Sequence, residues 1–125
     1  MRKGNAKIIF LLMLILGACG KPLPEFENMN METWKNDKNG CDGQRLKMIK
    51  PLTDQQKKLE GLSEDQILKL LGKPDQNELW KRNQKFYIYF LEPGGPCQKD
   101  SADIILSIRF NAMNLAKVVE VIALD

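Results

Sequence analysis

The stretch from Gly61 to Asp75 constrains the fold most, because all of its local signals indicate one helix with a defined beginning and end. Ser63 and Gln66 have the spacing of a capping box, and Gly72 followed by Pro74 predicts a left-handed cap and a stop. Such a helix needs an apolar surface to pack on. The residues of its apolar stripe recur at helical spacing: Ile67, Leu68, Leu70 and Leu71.

The N-terminal 18 residues have the three regions of a secretory signal. They comprise a basic start, an apolar run from Ile8 to Leu16 and an ending of small residues. A transmembrane helix needs about 20 apolar residues, and this run is too short for one. We therefore predict a cleaved export signal over residues 1–18.

The end of that run, Leu16-Gly17-Ala18-Cys19, resembles the lipobox of bacterial lipoproteins. In that family the cysteine thiol receives diacylglycerol and the signal is cut before the cysteine. The resemblance implies that Cys19 anchors the protein in the membrane. Residue 20 is glycine rather than the aspartate that retains some lipoproteins in the inner membrane, which favours the outer membrane, facing the periplasm. The alternative is an ordinary cleaved signal with Cys19 as a chance thiol.

We interpret residues 19–34 as a lipidated tether and residues 35–125 as one folded domain. The tether contains two prolines and scattered polar residues, and it has no hydrophobic period. The alternative for its apolar residues is that Phe26 or Trp34 docks on the edge of the domain.

Charge and composition argue against several classes of function. Of the 19 basic residues, Arg2, Lys3 and Lys7 lie in the export signal, so the rest of the chain has 16 basic and 16 acidic side chains. This balance gives no support to nucleic-acid binding through a general electrostatic field. The chain has no histidine, no nucleophile motif and no glycine-rich phosphate loop. We therefore expect no enzyme activity, no cofactor and no metal.

Two cysteines remain besides Cys19, and an exported chain lies in a compartment where disulfides persist. We predict a Cys41–Cys97 disulfide, which closes a loop of about 55 residues and contributes on the order of 4 kcal/mol in the chain-entropy model. Two alternatives are less favoured. A redox pair lacks the Cys-x-x-Cys spacing, and a metal site would have too few ligands.

Residues 45–60 are compatible with a helix, but they contain Pro51. This predicts either a kinked helix or two short ones, with Thr53 capping the second. The residues expected to face the core are Leu46, Ile49, Leu52 and Leu59.

After Asp75 the hydrophobic period changes to 2, which predicts strands at 78–82, 85–91, 104–110 and 115–124. The pattern does not decide which face of the last strand points inward. Short connections favour an antiparallel meander with helices on one face. We therefore predict an α+β fold of two layers, in which two helices pack on a three- to four-stranded antiparallel sheet.

Several short motifs carry a family resemblance: Gly61-Leu62-Ser63, Gln66-Ile67-Leu68, Leu71-Gly72, Pro74-Asp75, a tyrosine-rich strand and Arg109-Phe110-Asn111. Together they resemble the SmpA/OmlA (BamE-like) lipoprotein domain over residues 59–124. The resemblance implies two helices on a three-stranded antiparallel sheet and a role in supporting the machinery that inserts β-barrels. Leu62 replaces the usual methionine, and the cysteine pair is not part of that pattern. The layout also resembles the repeat unit of β-lactamase-inhibitor proteins (BLIP).

The candidate partner surface consists of Trp80, Tyr87 and Tyr89, expected on the sheet face away from the helices. Such aromatic side chains are favoured in protein interfaces. The alternative is that they pack between strands. We predict a non-catalytic binding or scaffolding lipoprotein of the envelope with a protein partner. A periplasmic inhibitor or ligand-binding module is the alternative.

Overall fold

The computed structural model describes residues 22–80, 84–93, 97 and 104–123. Within them lie three α-helices: α1 (Met31–Asn36), α2 (Ile49–Gln55) and α3 (Glu64–Leu71). Three 3₁₀ segments occur at Lys38–Gly40, Leu46–Met48 and Gln56–Leu59. Four strands form the sheet: β1 (Gln76–Trp80), β2 (Gln84–Phe90), β3 (Ile104–Phe110) and β4 (Ala116–Ala123). The predicted α+β class with an antiparallel sheet is confirmed, with three α-helices in the described part of the chain where two were predicted.

The sheet is a meander in the order β1-β2-β3-β4, and each strand is antiparallel to the next. The pairing of β3 with β4 shifts by one residue, because Arg109 pairs with Val118 whereas Phe110 pairs with Ala116. Lys117 is thus the extra residue of a bulge. A bulge reverses the alternation of faces, which explains why the pattern of β4 did not reveal its inward face.

Helix α3 begins as its sequence predicts. Ser63 Oγ accepts from the Gln66 amide at 3.3 Å, and Gln66 Oε1 accepts from the Ser63 amide at 3.0 Å, so both bonds of the capping box are present. The helix ends at Gly72, whose φ is 78°. Its ψ of −172° is extended, so the residue has the predicted positive φ but not a left-handed helical conformation.

Pro51 lies in the first turn of α2, where its missing N–H leaves no helical hydrogen bond unmade. The proline therefore does not interrupt this helix, and the turns before and after it are 3₁₀. The predicted capping role of Thr53 is wrong, because its hydroxyl donates to the Ile49 carbonyl within the helix at 2.8 Å.

Within residues 46–59, Leu52 and Leu59 are fully buried, as predicted. Leu46 is 42% exposed, so its predicted place in the core is wrong. Met48 is buried instead. The Leu46–Met48 segment is a 3₁₀ turn with three residues per turn rather than the 3.6 of an α-helix. A different side of the segment therefore faces the sheet, with Met48 inward in place of Leu46.

The core lies between the helices and one face of the sheet, and α1 contributes its largest side chain. Trp34 is fully buried, and its Nε1 donates to the Leu71 carbonyl at 3.1 Å. Phe26 and Met29 pack against the same core. In the part of the predicted tether that the structure describes, residues 22–34, these apolar side chains therefore contact the domain while the residues between them are largely exposed.

The helical side of the core comprises Trp34, Met48, Leu52, Leu59, Leu62, Ile67, Leu70 and Leu71. The sheet side comprises Tyr87, Tyr89, Leu91, Leu106, Ile108, Phe110, Ala116 and Val119.

Candidate functional site

The two tyrosines of the predicted partner surface lie in the core. Tyr87 is 6% exposed and Tyr89 is 0% exposed. Both rings point towards the helices, so their predicted position on the opposite face is wrong. Tyr87 packs edge-on against Phe110 with ring centroids 4.7 Å apart, and Tyr89 lies 6.1 Å from the Trp34 ring.

The hydroxyl groups of Tyr87 and Tyr89 explain why these two side chains are buried although each ends in a polar group. Tyr87 donates to Glu64 Oε1 at 3.1 Å, at the first residue of α3. Tyr89 donates to the Gly72 carbonyl at 2.8 Å, just after the last residue of α3. Because each hydroxyl finds an acceptor at one end of the helix, neither is buried without a partner.

Burial also changes the acidity of both phenols. It raises the pKa of Tyr87 to about 12, and the hydrogen bond to Glu64 and the negative charge of that carboxylate add to the effect. Burial likewise raises the pKa of Tyr89 well above its ordinary value. Both phenols are therefore protonated at neutral pH and serve as hydrogen-bond donors.

Trp80 is the last residue of β1 and pairs with Gln84. The placement of its side chain is outside what the structure describes. The structure thus does not bring the three predicted aromatic residues together on one exposed surface.

The face of the sheet away from the helices, here called the open face, is the better candidate for a binding surface. Alternation along β2 places Phe86, Ile88 and Phe90 on it, because Tyr87 and Tyr89 point into the core. Phe90 pairs with Ile105 of β3, which pairs with Ile122 of β4. These five apolar residues form an L-shaped band, here called the apolar band, along one strand and across one end of the sheet.

Four of the five residues of the apolar band, all except Phe86, form a second, smaller cluster separate from the main core. Phe90 and Ile105 are 9% and 7% exposed, and Ile88 and Ile122 pack beside them, half-buried. The open face of an antiparallel sheet in a two-layer protein is commonly polar. The partly exposed members of the band, Ile88 and Ile122, are therefore the part that offers apolar surface to a partner, whereas Phe90 and Ile105 are already buried.

Three charged residues flank the apolar band. Glu78 and Arg109 are the two cross-strand neighbours of Phe86, and Glu120 is the neighbour of Ser107. Among the described residues, Arg109 and Glu120 have no ion-pair partner. They supply polar groups beside an apolar surface, as the rim of a protein interface does.

The alternation of β2 separates Phe86, Ile88 and Phe90 from Tyr87 and Tyr89, and the tyrosine face was the one predicted to meet the partner. The sequence did contain a signal for this apolar face, because Ile105 of β3 and Ile122 of β4 are apolar residues at positions that alternate with those facing the core. Reading that signal requires the register between strands, which the sequence does not give.

A buried polar cluster at the junction of the two layers was not predicted. Arg45 Nη1 lies 2.6 Å from Asp75 Oδ2, and the side chains of the pair are 1% and 4% exposed. Asp37, also buried, accepts from the amides of Asp42 at 2.6 Å and Arg45 at 2.9 Å. Every buried polar side-chain atom in the described part has a hydrogen-bond partner, so the cluster holds elements together rather than offering a reactive group.

Cys41 and Cys97 are joined by a disulfide, and their Cα atoms are 5.6 Å apart. Gly40 allows the backbone next to Cys41 to lie close to the end of β2. A Cβ there would lie 3.0 Å from the Phe90 carbonyl oxygen, so only glycine lets the backbone approach the end of β2 so closely. The disulfide therefore links the turn after α1 to the connection between β2 and β3.

The described ranges contain no cluster of three or more histidine, cysteine or acidic residues arranged to hold a metal ion. None of the helices in those ranges has the length and apolarity needed to cross a bilayer. Cys19 and the export signal lie outside the described residues.

Comparison with known proteins gives no relative for this chain: no family model, no curated protein and no solved structure matches it.

Proposed function

We propose that this protein is a lipid-anchored lipoprotein of the bacterial envelope that binds a protein partner through the open face of its sheet. The observation that carries the proposal is the apolar band of Phe86, Ile88, Phe90, Ile105 and Ile122, in which Ile88 and Ile122 remain partly exposed to solvent. Arg109 and Glu120 beside the band would give the contact its orientation.

The anchor part of the proposal is supported by the lipobox at residues 16–19 and the short apolar run before it. Two or three acyl chains on Cys19 would hold the protein in the membrane, because each buried methylene contributes about 0.8 kcal/mol. On the same resemblance we propose the outer membrane, facing the periplasm, as its location.

The finer fold assignment also belongs to this proposal. We propose a BamE-like arrangement for residues 59–124, with a role in outer-membrane assembly or maintenance. The helix with its capping box, followed by an antiparallel meander, supports that assignment. The lead-in with α1 and the disulfide would be an addition specific to this chain.

The partner proposal is tested by crosslinking the protein in membranes and identifying the proteins that are recovered. The informative variant is Ile88→Glu, which puts a charge into the apolar band. We expect it to lose the partner recovered with wild type, since a central interface residue contributes about 2 kcal/mol or more. The matched control is Met113→Glu, the same kind of change at a side chain that is 75% exposed in a turn.

A second variant, Ile122→Glu at the edge strand, covers the case in which Ile88→Glu fails to fold. An unchanged set of partners for folded Ile88→Glu and Ile122→Glu would refute the proposal. Recovery of a barrel-assembly component supports the role in assembly, whereas recovery of a soluble enzyme supports the inhibitor alternative.

The anchor is tested by metabolic labelling with a palmitate analogue. Wild type should incorporate the label, and Cys19→Ala should not. The lipoprotein proposal fails if wild type remains unlabelled or if Cys19→Ala is still labelled.

A further inference from the structure

A surface pocket of about 220 Å³ lies where α1, the 3₁₀ turn after it and the end of α3 meet. It is lined from the helical layer and from the turn that leads into β1. Its lining comprises Lys35, Lys38, Asn39, Lys73 and Asp75. Three of the five lining residues are therefore lysines.

The aspartate in the lining does not neutralise these lysines. Asp75 Oδ2 is 2.6 Å from Arg45 Nη1 and 2.8 Å from the Phe90 amide, and Asp75 Oδ1 accepts from the Asn39 amide at 2.9 Å. Its charge is thus balanced by the buried guanidinium, and its acceptor sites are occupied. Within the described ranges, Lys38 and Lys73 have no carboxylate partner, and Lys35 has only the exposed Glu32 at 4.0 Å.

The lysines are also not needed to complete the helix end beside them. The carbonyl of Leu71 accepts from Trp34 Nε1, and that of Gly72 accepts from the Tyr89 hydroxyl. The stem of Lys35 lies against Gly72, since a Cβ there would be 3.1 Å from Lys35 Cγ. The pocket consequently has positive charge that its own carboxylate does not compensate.

We propose that this pocket, lined by Lys35, Lys38 and Lys73, binds the phosphate group of a phosphate-bearing anion. Three lysines in the lining of a small pocket match the charge of a phosphate monoester better than that of a single carboxylate, and a lysine ammonium donates charge-assisted hydrogen bonds to phosphate. The anion is either a free phosphate compound or the headgroup of an anionic lipid. The proposal does not depend on the partner surface or on the lipid anchor.

The test is a titration of the full-length protein with inorganic phosphate, in which the NMR chemical shift of the Asn39 backbone amide reports binding. The variant carrying Lys35→Gln, Lys38→Gln and Lys73→Gln should bind phosphate at least about tenfold more weakly, because it loses the charge-assisted hydrogen bonds of all three lysines. The matched control carries Lys47→Gln, Lys50→Gln and Lys57→Gln, which removes the same charge from exposed lysines elsewhere in the helical layer. It should bind like wild type.

Vesicles distinguish the two sources of the anion. The phosphate titration is repeated with phosphatidylcholine vesicles with and without phosphatidic acid. If the lipid headgroup occupies the site, phosphatidic acid will weaken the apparent binding of inorganic phosphate to wild type. If the ligand is a free phosphate compound, the two vesicle preparations will give the same affinity.

Two results would overturn the proposal. One is a wild type whose Asn39 amide does not respond to phosphate. The other is an equal loss of binding in both triple variants, which would mean that phosphate binding depends only on the overall charge of the protein. Melting curves of both variants show whether a loss of binding comes from unfolding.

Discussion

At the scale of single residues, Arg45 organises the junction between the helices and the sheet. Its Nε donates to the Trp34 carbonyl at 3.0 Å, and its Nη1 donates to Asp75 and, at 3.2 Å, to the Phe90 carbonyl. Its guanidinium carbon also lies 4.9 Å from the centre of the Trp34 ring. A buried cation is tolerated here because each contact offsets part of its lost hydration.

Arg45→Ala should therefore destabilise the fold strongly. The change leaves Asp75 buried without its counter-charge, for which we expect a loss of about 3 to 5 kcal/mol in the free energy of unfolding. The control is Lys50→Ala, which breaks an ion pair between Lys50 and Asp54. The side chains of these two residues are 88% and 65% exposed. Urea denaturation should show almost no change for the control, and equal losses in the two variants would contradict this view of Arg45.

The tyrosines give a prediction about pH. Tyr87 and Tyr89 are the only tyrosines in the chain, and burial raises the pKa of both phenols above the ordinary value of 10.0. Because the folded state holds these protons more tightly than the unfolded state, their contribution to stability is complete below about pH 10 and is lost as the pH rises. For Tyr87 this loss extends to about pH 12.

Tyrosinate absorbance measures the titration directly. The folded protein should show little tyrosinate between about pH 10 and the onset of alkaline unfolding, whereas the protein in concentrated denaturant should titrate near pH 10. Normal titration of both phenols while the circular dichroism stays native would show that they are not buried. Tyr87→Phe, which lacks one phenol, should reduce the alkaline loss of stability without abolishing it.

At the scale of elements, α3 is the helix whose local sequence and tertiary contacts agree most closely. Its capping box begins the helix, and the tyrosines of β2 bond to its two ends. Its side chains Ile67, Leu70 and Leu71 pack on the sheet. Short helices are marginal alone, so most of its stability comes from this packing.

Ser63→Ala should lower the free energy of unfolding by about 1 kcal/mol, because the Gln66 amide loses its acceptor. Ser63→Gly is the informative comparison, since glycine is itself tolerated at an N-cap and should cost only a few tenths of a kcal/mol. Thermal melting of the two variants measures the difference. No loss of stability in Ser63→Ala would mean that the hydroxyl does not cap the helix.

At the scale of the whole molecule, the disulfide joins segments that are 56 residues apart in sequence. It connects the turn after α1 to the strand connection beyond β2, and it lies beside the cluster of Arg45, Asp37 and Asp75. Because all the polar atoms of that cluster are satisfied without the disulfide, its main effect is on the unfolded chain.

Replacing both Cys41 and Cys97 by serine should therefore lower the free energy of unfolding by about 4 kcal/mol while leaving the native circular dichroism unchanged. Denaturation with and without reductant provides the control, because reductant should destabilise wild type and leave the variant unaffected. Alkylation without reductant, followed by mass spectrometry, should modify neither cysteine in wild type. Two modified cysteines would contradict the disulfide.

Sequence alone was sufficient where the relevant contacts lie within a few residues. The capping box joins positions three apart, and the alternation of β3 predicted its bounds, 104–110, as they are found. The change of period after Asp75 likewise predicted an antiparallel sheet of three to four strands and an α+β fold. Two cysteines left in an exported chain have one intramolecular pairing, so counting predicted that bond without any geometry.

Tertiary structure decided what depends on residues far apart. Tyr87 and Tyr89 are buried rather than exposed because Glu64 and Gly72, 23 and 17 positions earlier, accept their hydroxyl hydrogens. Trp34 lies in the core, where its indole N–H donates to the carbonyl of Leu71, 37 positions later. Both faces of β2 are apolar enough to be buried, so hydrophobicity did not choose between them. Only the packed helix, with acceptors at its two ends, selects the tyrosine face for the core and leaves Phe86, Ile88 and Phe90 on the open face.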